Sequence, residues 1–307
     1  MSVADPHWAG QRERGSPVLM RLTAWAARRL GRRAVAPVVW VVVLYFYAFG
    51  ARARRAIAVY QSRVAASGEL AAPLPRALPV YRQYLAFATA MLDKLDVWQG
   101  KITMARLDIA DPDGLHGQMG HGRGQILVGS HLGNLEICRA LAEQTGALRL
   151  NVLVHSKHAV NFNRLLDEAG GGLRMIQVSE LDAAVMLDLA KRLDRGEWLA
   201  IAGDRVPLRG DRTVPVQFLG ATALFPQGPW LLAGLLGCPV NLLRCTRHGG
   251  RYRVSMERLT ERVEWTRATR QAQIAVWTQR YADRLAAHCR DAPLQWFNFY
   301  PFWKDDA

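Results

Sequence analysis

The sequence predicts an α/β protein: a mostly parallel central sheet of about seven strands with an antiparallel edge hairpin, flanked by helices and preceded by N-terminal membrane-associating helices. Three observations carry this. From residue 125 onward, short apolar runs alternate with helical stretches, which is the pattern of a sheet covered by helices. His248-Gly249-Gly250 joins the last two runs closely enough to make them an antiparallel hairpin. Before residue 67, arginines surround a long uncharged stretch.

The chain has 307 residues, enough to bury a large core, and carries a formal net charge of +14. Residues 1–66 contain eleven arginines (12, 14, 21, 28, 29, 32, 33, 52, 54, 55 and 63) against Asp5 and Glu13, so +9 of the excess lies there. Such charge calls for an anionic partner. Within it lies "AVAPVVWVVVLYFYAFG", Ala34–Gly50, seventeen residues without a charge. A nucleic-acid arm has no use for that stretch, so nucleic acid is set aside in favour of an anionic membrane lipid surface. As a helix the stretch reaches roughly 25 Å, short of the ~30 Å hydrocarbon core. Arginines flank both ends, so the positive-inside rule gives no orientation. These points favour an interfacial or shallowly inserted helix over a full span; a buried core helix is the alternative. The charged leader is too long for a cleaved signal peptide.

Ser16-Pro17 is placed to cap a first helix. The Pro- and Ala-rich segment "ASGELAAPLPRALP", Ala66–Pro79, marks a boundary between an N-terminal unit, 1–66, and a main domain, 67–307. Val80–Trp98 has helical periodicity, with Tyr84, Phe87, Met91 and Leu95 near one face. Strands are then expected at 125–130, 148–156, 174–179, 198–204, 214–220, 239–247 and 251–259. Helices are expected near 134–145, 160–168, 181–195, 226–236 and 265–290. Cys138, Cys238, Cys245 and Cys289 show no paired spacing, so neither a disulfide framework nor a zinc site is indicated.

"VGSHLGNLE" puts His131 at the end of an apolar run and Glu136 five positions later, at the corner where α/β folds place their sites. A carboxylate accepting the Nδ1 proton would leave Nε2 free as a base, the His–acid half of a hydrolase triad without its nucleophilic hydroxyl. A substrate alcohol could supply that hydroxyl. By spacing alone, an ordinary polar corner explains these residues as well.

The surrounding pieces narrow this. "SHLGNLE", "GDR" (Gly203–Arg205), "VQFLG" (Val216–Gly220), "FPQGPWLLA" (Phe225–Ala233) and "CPV" (Cys238–Val240) occur in this order. Together they resemble the lysophospholipid acyltransferase superfamily, in its bacterial branch of late lipid A biosynthesis acyltransferases. The tail "WFNFYPFW", Trp296–Trp303, is similar to a subgroup found with aryl polyene clusters. One departure is that Asp204-Arg205 stands where those enzymes usually carry Asp-Gln.

The resemblance implies transfer of a fatty acyl group from a thioester, on acyl carrier protein or coenzyme A as co-substrate, to a hydroxyl of a membrane lipid acceptor or lipid A-like glycolipid. It implies His131 and Glu136 as the catalytic dyad, no metal or redox cofactor, and a place on the cytoplasmic face of a bacterial inner membrane. Substrate binding falls to Gly133 and Asn134 through backbone amides at a helix start, and to Asp204 and Arg205 at a strand end. Arg164, with Asn161 and Asn163, is a further candidate for the acceptor pocket. Arg205 could instead pair with Asp204 or Asp211, and capping explains Gly133 and Asn134 equally well. His155 and His158 lack the companions of a metal site. The aromatic tail fits a lipid interface, an acyl-channel wall or packing over the core. Two rivals stand: an acyl-thioester hydrolase, and a non-catalytic membrane-binding protein of the same fold.

Overall fold

The computed structural model describes residues 32–98, 101–103, 107–138, 149–154, 173–178, 181–206 and 212–303. Among these, the core is a seven-stranded sheet in the order β1-β9-β8-β2-β5-β3-β4. Its strands are β1 (Leu107–Ala110), β2 (Ile126–Gly129), β3 (Leu150–Val154), β4 (Leu173–Gln177), β5 (Trp198–Ala202), β8 (Val240–His248) and β9 (Arg251–Thr260). All pairings are parallel except β8 with β9. β2 lies between β8 and β5, and all four of its residues are buried. A strand covered on both faces needs such a continuous apolar run.

The strand count expected from sequence holds, but the membership differs. β1 was not expected. Its LDIA buries neither Asp108 nor Ile109, so it offers no apolar run to recognise; it attaches outside the hairpin, parallel to β9. The expected strand at 214–220 is not in this sheet. It forms β6 (Thr213–Phe218), which among the described residues pairs with β7 (Ala221–Pro226) in a separate antiparallel ribbon. Burial along β6 alternates strictly, and Pro215 sits in its middle; neither suits a central strand. Leu219 and Gly220 turn the ribbon with φ of 49° and 80°, the primed-turn geometry of a two-residue loop. The free edge of β6 is closed by Gln279, whose side-chain amide exchanges hydrogen bonds of 2.8 and 2.9 Å with the Gln217 backbone.

Helices α1 (Arg32–Phe49), α2 (Ala51–Ala66), α3 (Pro79–Trp98), α4 (Leu115–Gln118), α5 (Ala183–Asp194), α6 (Gly228–Leu236) and α7 (Arg270–Asp291) complete the described elements. α7 turns Ile274, Thr278, Tyr281, Leu285 and Cys289 inward, one stripe at helical spacing. The expected helix near 160–168 lies outside the described residues, as does any helix before residue 32; of that near 134–145, only 134–138 is described, and 135–138 is helical.

α2 is not peripheral to the core. Tyr60 and Val64 join the main hydrophobic cluster with β2 and β5. A buried amide chain continues the attachment: Gln61 Nε2 donates to Gln83 Oε1 at 2.8 Å, and Gln83 Nε2 donates to the Trp296 carbonyl at 2.8 Å. α1 behaves differently. It exposes Val38, Trp40, Val41, Leu44, Tyr45 and Phe49 to between 49% and 68%. Among the described residues no single helix is long and apolar enough to cross a membrane; α1 and α2 meet that test only as a pair, bent by 91°.

Candidate active site

Strands β2 and β5 are direct neighbours, with Val128 opposite Ile201 and Gly129 opposite Ala202. They leave the sheet at the same level, so Ser130-His131 and Gly203-Asp204 emerge side by side. Gly203 donates its amide to the Gly129 carbonyl at 2.9 Å. A Cβ there would lie 2.7 Å from the Tyr281 ring and 2.8 Å from Val128, so only glycine lets the chain pass this close.

The result is a bidentate pairing of His131 with Asp204. Nδ1 of His131 lies 2.8 Å from Oδ1 of Asp204, and the His131 backbone amide donates to Oδ2 at 2.8 Å. The indole Nε1 of Trp296 donates to the same Oδ2 at 3.0 Å. The Asp204 side chain is fully buried, whereas 36% of the His131 side chain remains exposed. Burial by itself would push the Asp204 carboxyl upward, but the facing imidazole and the three donors outweigh it and hold the group below its ordinary value. The carboxylate is therefore ionised at neutral pH and can only accept. Nδ1 then carries the ring proton, and Nε2 is left as an acceptor. Around the pair, burial raises the Tyr281 and Tyr300 hydroxyls and the Cys289 thiol, so these stay neutral.

This corrects the expectation that Glu136 holds Nδ1. A single N–H has one strong partner, and that position belongs to Asp204. Glu136 sits half-buried on the helical turn at 135–138. Asp204, expected as a substrate-binding residue, is instead part of the dyad geometry. The backbone amides of Gly133 and Asn134 are also committed, to the carbonyls of Gln295 at 2.8 Å and Cys245 at 2.7 Å. They are not donors awaiting negative charge. They anchor the turn that carries His131, and Asn134 adds a side-chain bond to the Ala90 carbonyl at 2.8 Å.

Arg205 lies with its guanidinium carbon 5.5 Å from the Tyr300 ring centroid, next to Asp204 but stacked on the tail. Arg164, Asn161, Asn163, His155 and His158 lie outside the described residues. The aromatic tail packs over the core: Trp296, Phe302 and Trp303 are buried, and their rings meet Phe218 at 5.5, 5.7 and 5.8 Å. This overturns the lipid-interface account of these rings. Trp296 is the site residue that sequence reasoning missed. Its only early signal was membership in an aromatic cluster, which does not reveal where an indole N–H points.

Two comparisons with known proteins bear on the family. The chain is 25% identical over 202 residues to a phosphatidylinositol mannoside acyltransferase of Mycolicibacterium smegmatis (strain ATCC 700084 / mc(2)155). That alignment covers 66% of this chain and spans 64% of the relative's length. Residues 80–305 match the bacterial lipid A biosynthesis acyltransferase family. The match takes in every strand of the sheet together with His131, Asp204 and the tail that holds them, and the chain belongs to the bacterial lipid A biosynthesis acyltransferase family.

Proposed function

We propose that this protein transfers a fatty acyl group from an acyl thioester, carried by acyl carrier protein or coenzyme A, to a hydroxyl of a membrane lipid or lipid A-like glycolipid. The observation that carries the proposal is the exposed imidazole held in one tautomer by a buried, ionised carboxylate. Nε2 of His131 takes the proton of the acceptor hydroxyl as its oxygen attacks the thioester carbonyl. Asp204 balances the positive charge that develops on the ring. The tetrahedral intermediate expels the carrier thiolate, which recovers the proton from the imidazolium, and an ester is left on the acceptor. No protein nucleophile is acylated in this scheme. Arg205, beside the pair, is assigned to a phosphate of the acceptor or of the carrier. The relative's name supports a glycosylated lipid acceptor.

Assays of the purified full chain with an acyl thioester, with and without a lipid acceptor, test the reaction. Ester formation that requires the acceptor is the expected result. Free fatty acid released at the same rate regardless of acceptor would favour a hydrolase. Lipids from cells with and without the protein, compared by mass spectrometry, would identify acceptor and acyl chain together.

We place the enzyme on the cytoplasmic face of the bacterial inner membrane, attached through α1 and the arginines around it. The apolar residues that α1 exposes support this. Burying each large apolar side chain contributes about 1.5–3 kcal/mol, so Trp40→Glu with Leu44→Glu should lower co-sedimentation with phosphatidylglycerol vesicles at least tenfold. Undiminished sedimentation would rule out this face.

A further inference from the structure

We infer that Trp296 is a positioning residue for the His131–Asp204 pair: its indole N–H fixes the second carboxylate oxygen so that the first faces the imidazole. The kinetic part of this inference rests on the proposed function; the geometric part does not.

Asp204 has two oxygens and three donors. Oδ1 faces His131 Nδ1 at 2.8 Å, and Oδ2 accepts from the His131 amide at 2.8 Å and from the Trp296 indole at 3.0 Å. The two bonds from His131 come from the residue being oriented. Trp296 is thus the donor in this set that reaches the carboxylate from a different part of the chain. An indole has one N–H and no acceptor, so this bond uses the whole polar capacity of the ring.

The ring itself is held on several sides. Its centroid lies 4.9 Å from Tyr60 of α2, 4.9 Å from Phe302, 5.5 Å from Phe218 of β6 and 6.1 Å from Trp303. Its backbone is fixed as well. The Trp296 carbonyl accepts from Gln83 of α3 at 2.8 Å, and the next residue, Phe297, donates its amide to the His131 carbonyl at 2.9 Å. One short segment therefore holds His131 through the backbone and Asp204 through the indole. The pair's geometry is coupled to the packing of α2 and β6 through the Trp296 ring, and to α3 through its backbone carbonyl.

Loss of the N–H has a defined chemical consequence. A carboxylate with fewer donors disperses its charge less well and binds a proton, or an imidazolium, more tightly. The pair would then keep its proton to higher pH. Among the described residues, the titratable groups to weigh against this effect are these. Arg205 is adjacent on the same segment; Tyr281 and Cys289 of α7 and Tyr300 of the tail face Asp204, and burial keeps those three neutral. Glu136 is the other carboxylate on the His131 turn.

The test uses the full chain with Trp296→Phe and, separately, with the Trp296 indole replaced by a benzothiophene, which keeps the shape but has sulfur in place of N–H. Protonation of the pair is followed through the ring-carbon NMR signals of His131, and the pH profile of kcat/KM is measured alongside. Both changes should move the titration to higher pH by about half a unit or more. The acid limb of kcat/KM should follow, with a loss of about threefold or more below it. An unmoved titration in the benzothiophene protein, with native near-ultraviolet circular dichroism, would overturn the inference even if Trp296→Phe fails to fold. The two proposals fail separately. A shifted titration in a protein that never transfers acyl groups removes the proposed function and leaves this inference standing. Acyl transfer with an unmoved titration removes only the inference.

Discussion

His131→Ala should lower acyl transfer by about 10²–10⁴-fold, the contribution of a positioned general base, while leaving the fold intact. The side chain is partly exposed and its backbone bonds to Asp204 and Phe297 do not depend on the ring. Asp204→Asn should produce a loss of the same order. An amide in that position can donate to Nδ1, which would move the ring proton to Nε2 and remove the base. The comparison with Glu136→Gln decides between the two acidic residues. The bond from His131 Nδ1 to Asp204 predicts that Asp204→Asn is the more damaging of the pair. Steady-state assays of purified variants, checked by circular dichroism for folding, give the answer. Near-normal turnover in folded His131→Ala would dismiss the base, and the acyltransferase mechanism with it.

Gly133→Ala should destabilise the protein by about 3 kcal/mol and abolish transfer. Gly133 has φ of 77°, and a Cβ there would lie 2.0 Å from the Cys245 carbonyl oxygen and 2.8 Å from its carbon. Those are backbone atoms of β8, so they cannot rotate away. Relief would require the His131 turn to lift from the sheet, breaking the bonds to Gln295 and Cys245. Gly220→Ala separates clash from backbone strain. Gly220 has φ of 80° with nothing within 4 Å of the added carbon, so it should cost only the left-handed penalty of about 1–2 kcal/mol. Urea unfolding of both variants checks the difference; equal costs would show that the close approach at Gly133 is not what fixes the turn.

Much of the fold was legible because its signals are local. The buried runs of β2 and β5, the helical stripe of α7 and the His248-Gly249-Gly250 turn each announce themselves within a few residues. β1 escaped notice because four residues, none of them buried, carry no pattern. β6 was misplaced because an alternating strand states that one face is buried, but not against what, and β7 was not expected as a strand at all. The site divides the same way. His131 stands out at a strand end, and its nearest acid along the chain is Glu136. The acid that its Nδ1 meets in space, Asp204, lies 73 positions away in sequence.

By itself, the sequence determined the class of fold, the corner that carries the imidazole and the apolar segment flanked by arginines. Those depend on periodicity, turn chemistry and composition, which are properties of neighbouring residues. Only the tertiary structure decided which carboxylate meets the histidine and which indole holds that carboxylate in place. Parallel strands are joined by long crossovers, so their order in the sheet follows from how the whole core packs. The pairing of β2 with β5 is what puts Asp204 beside His131.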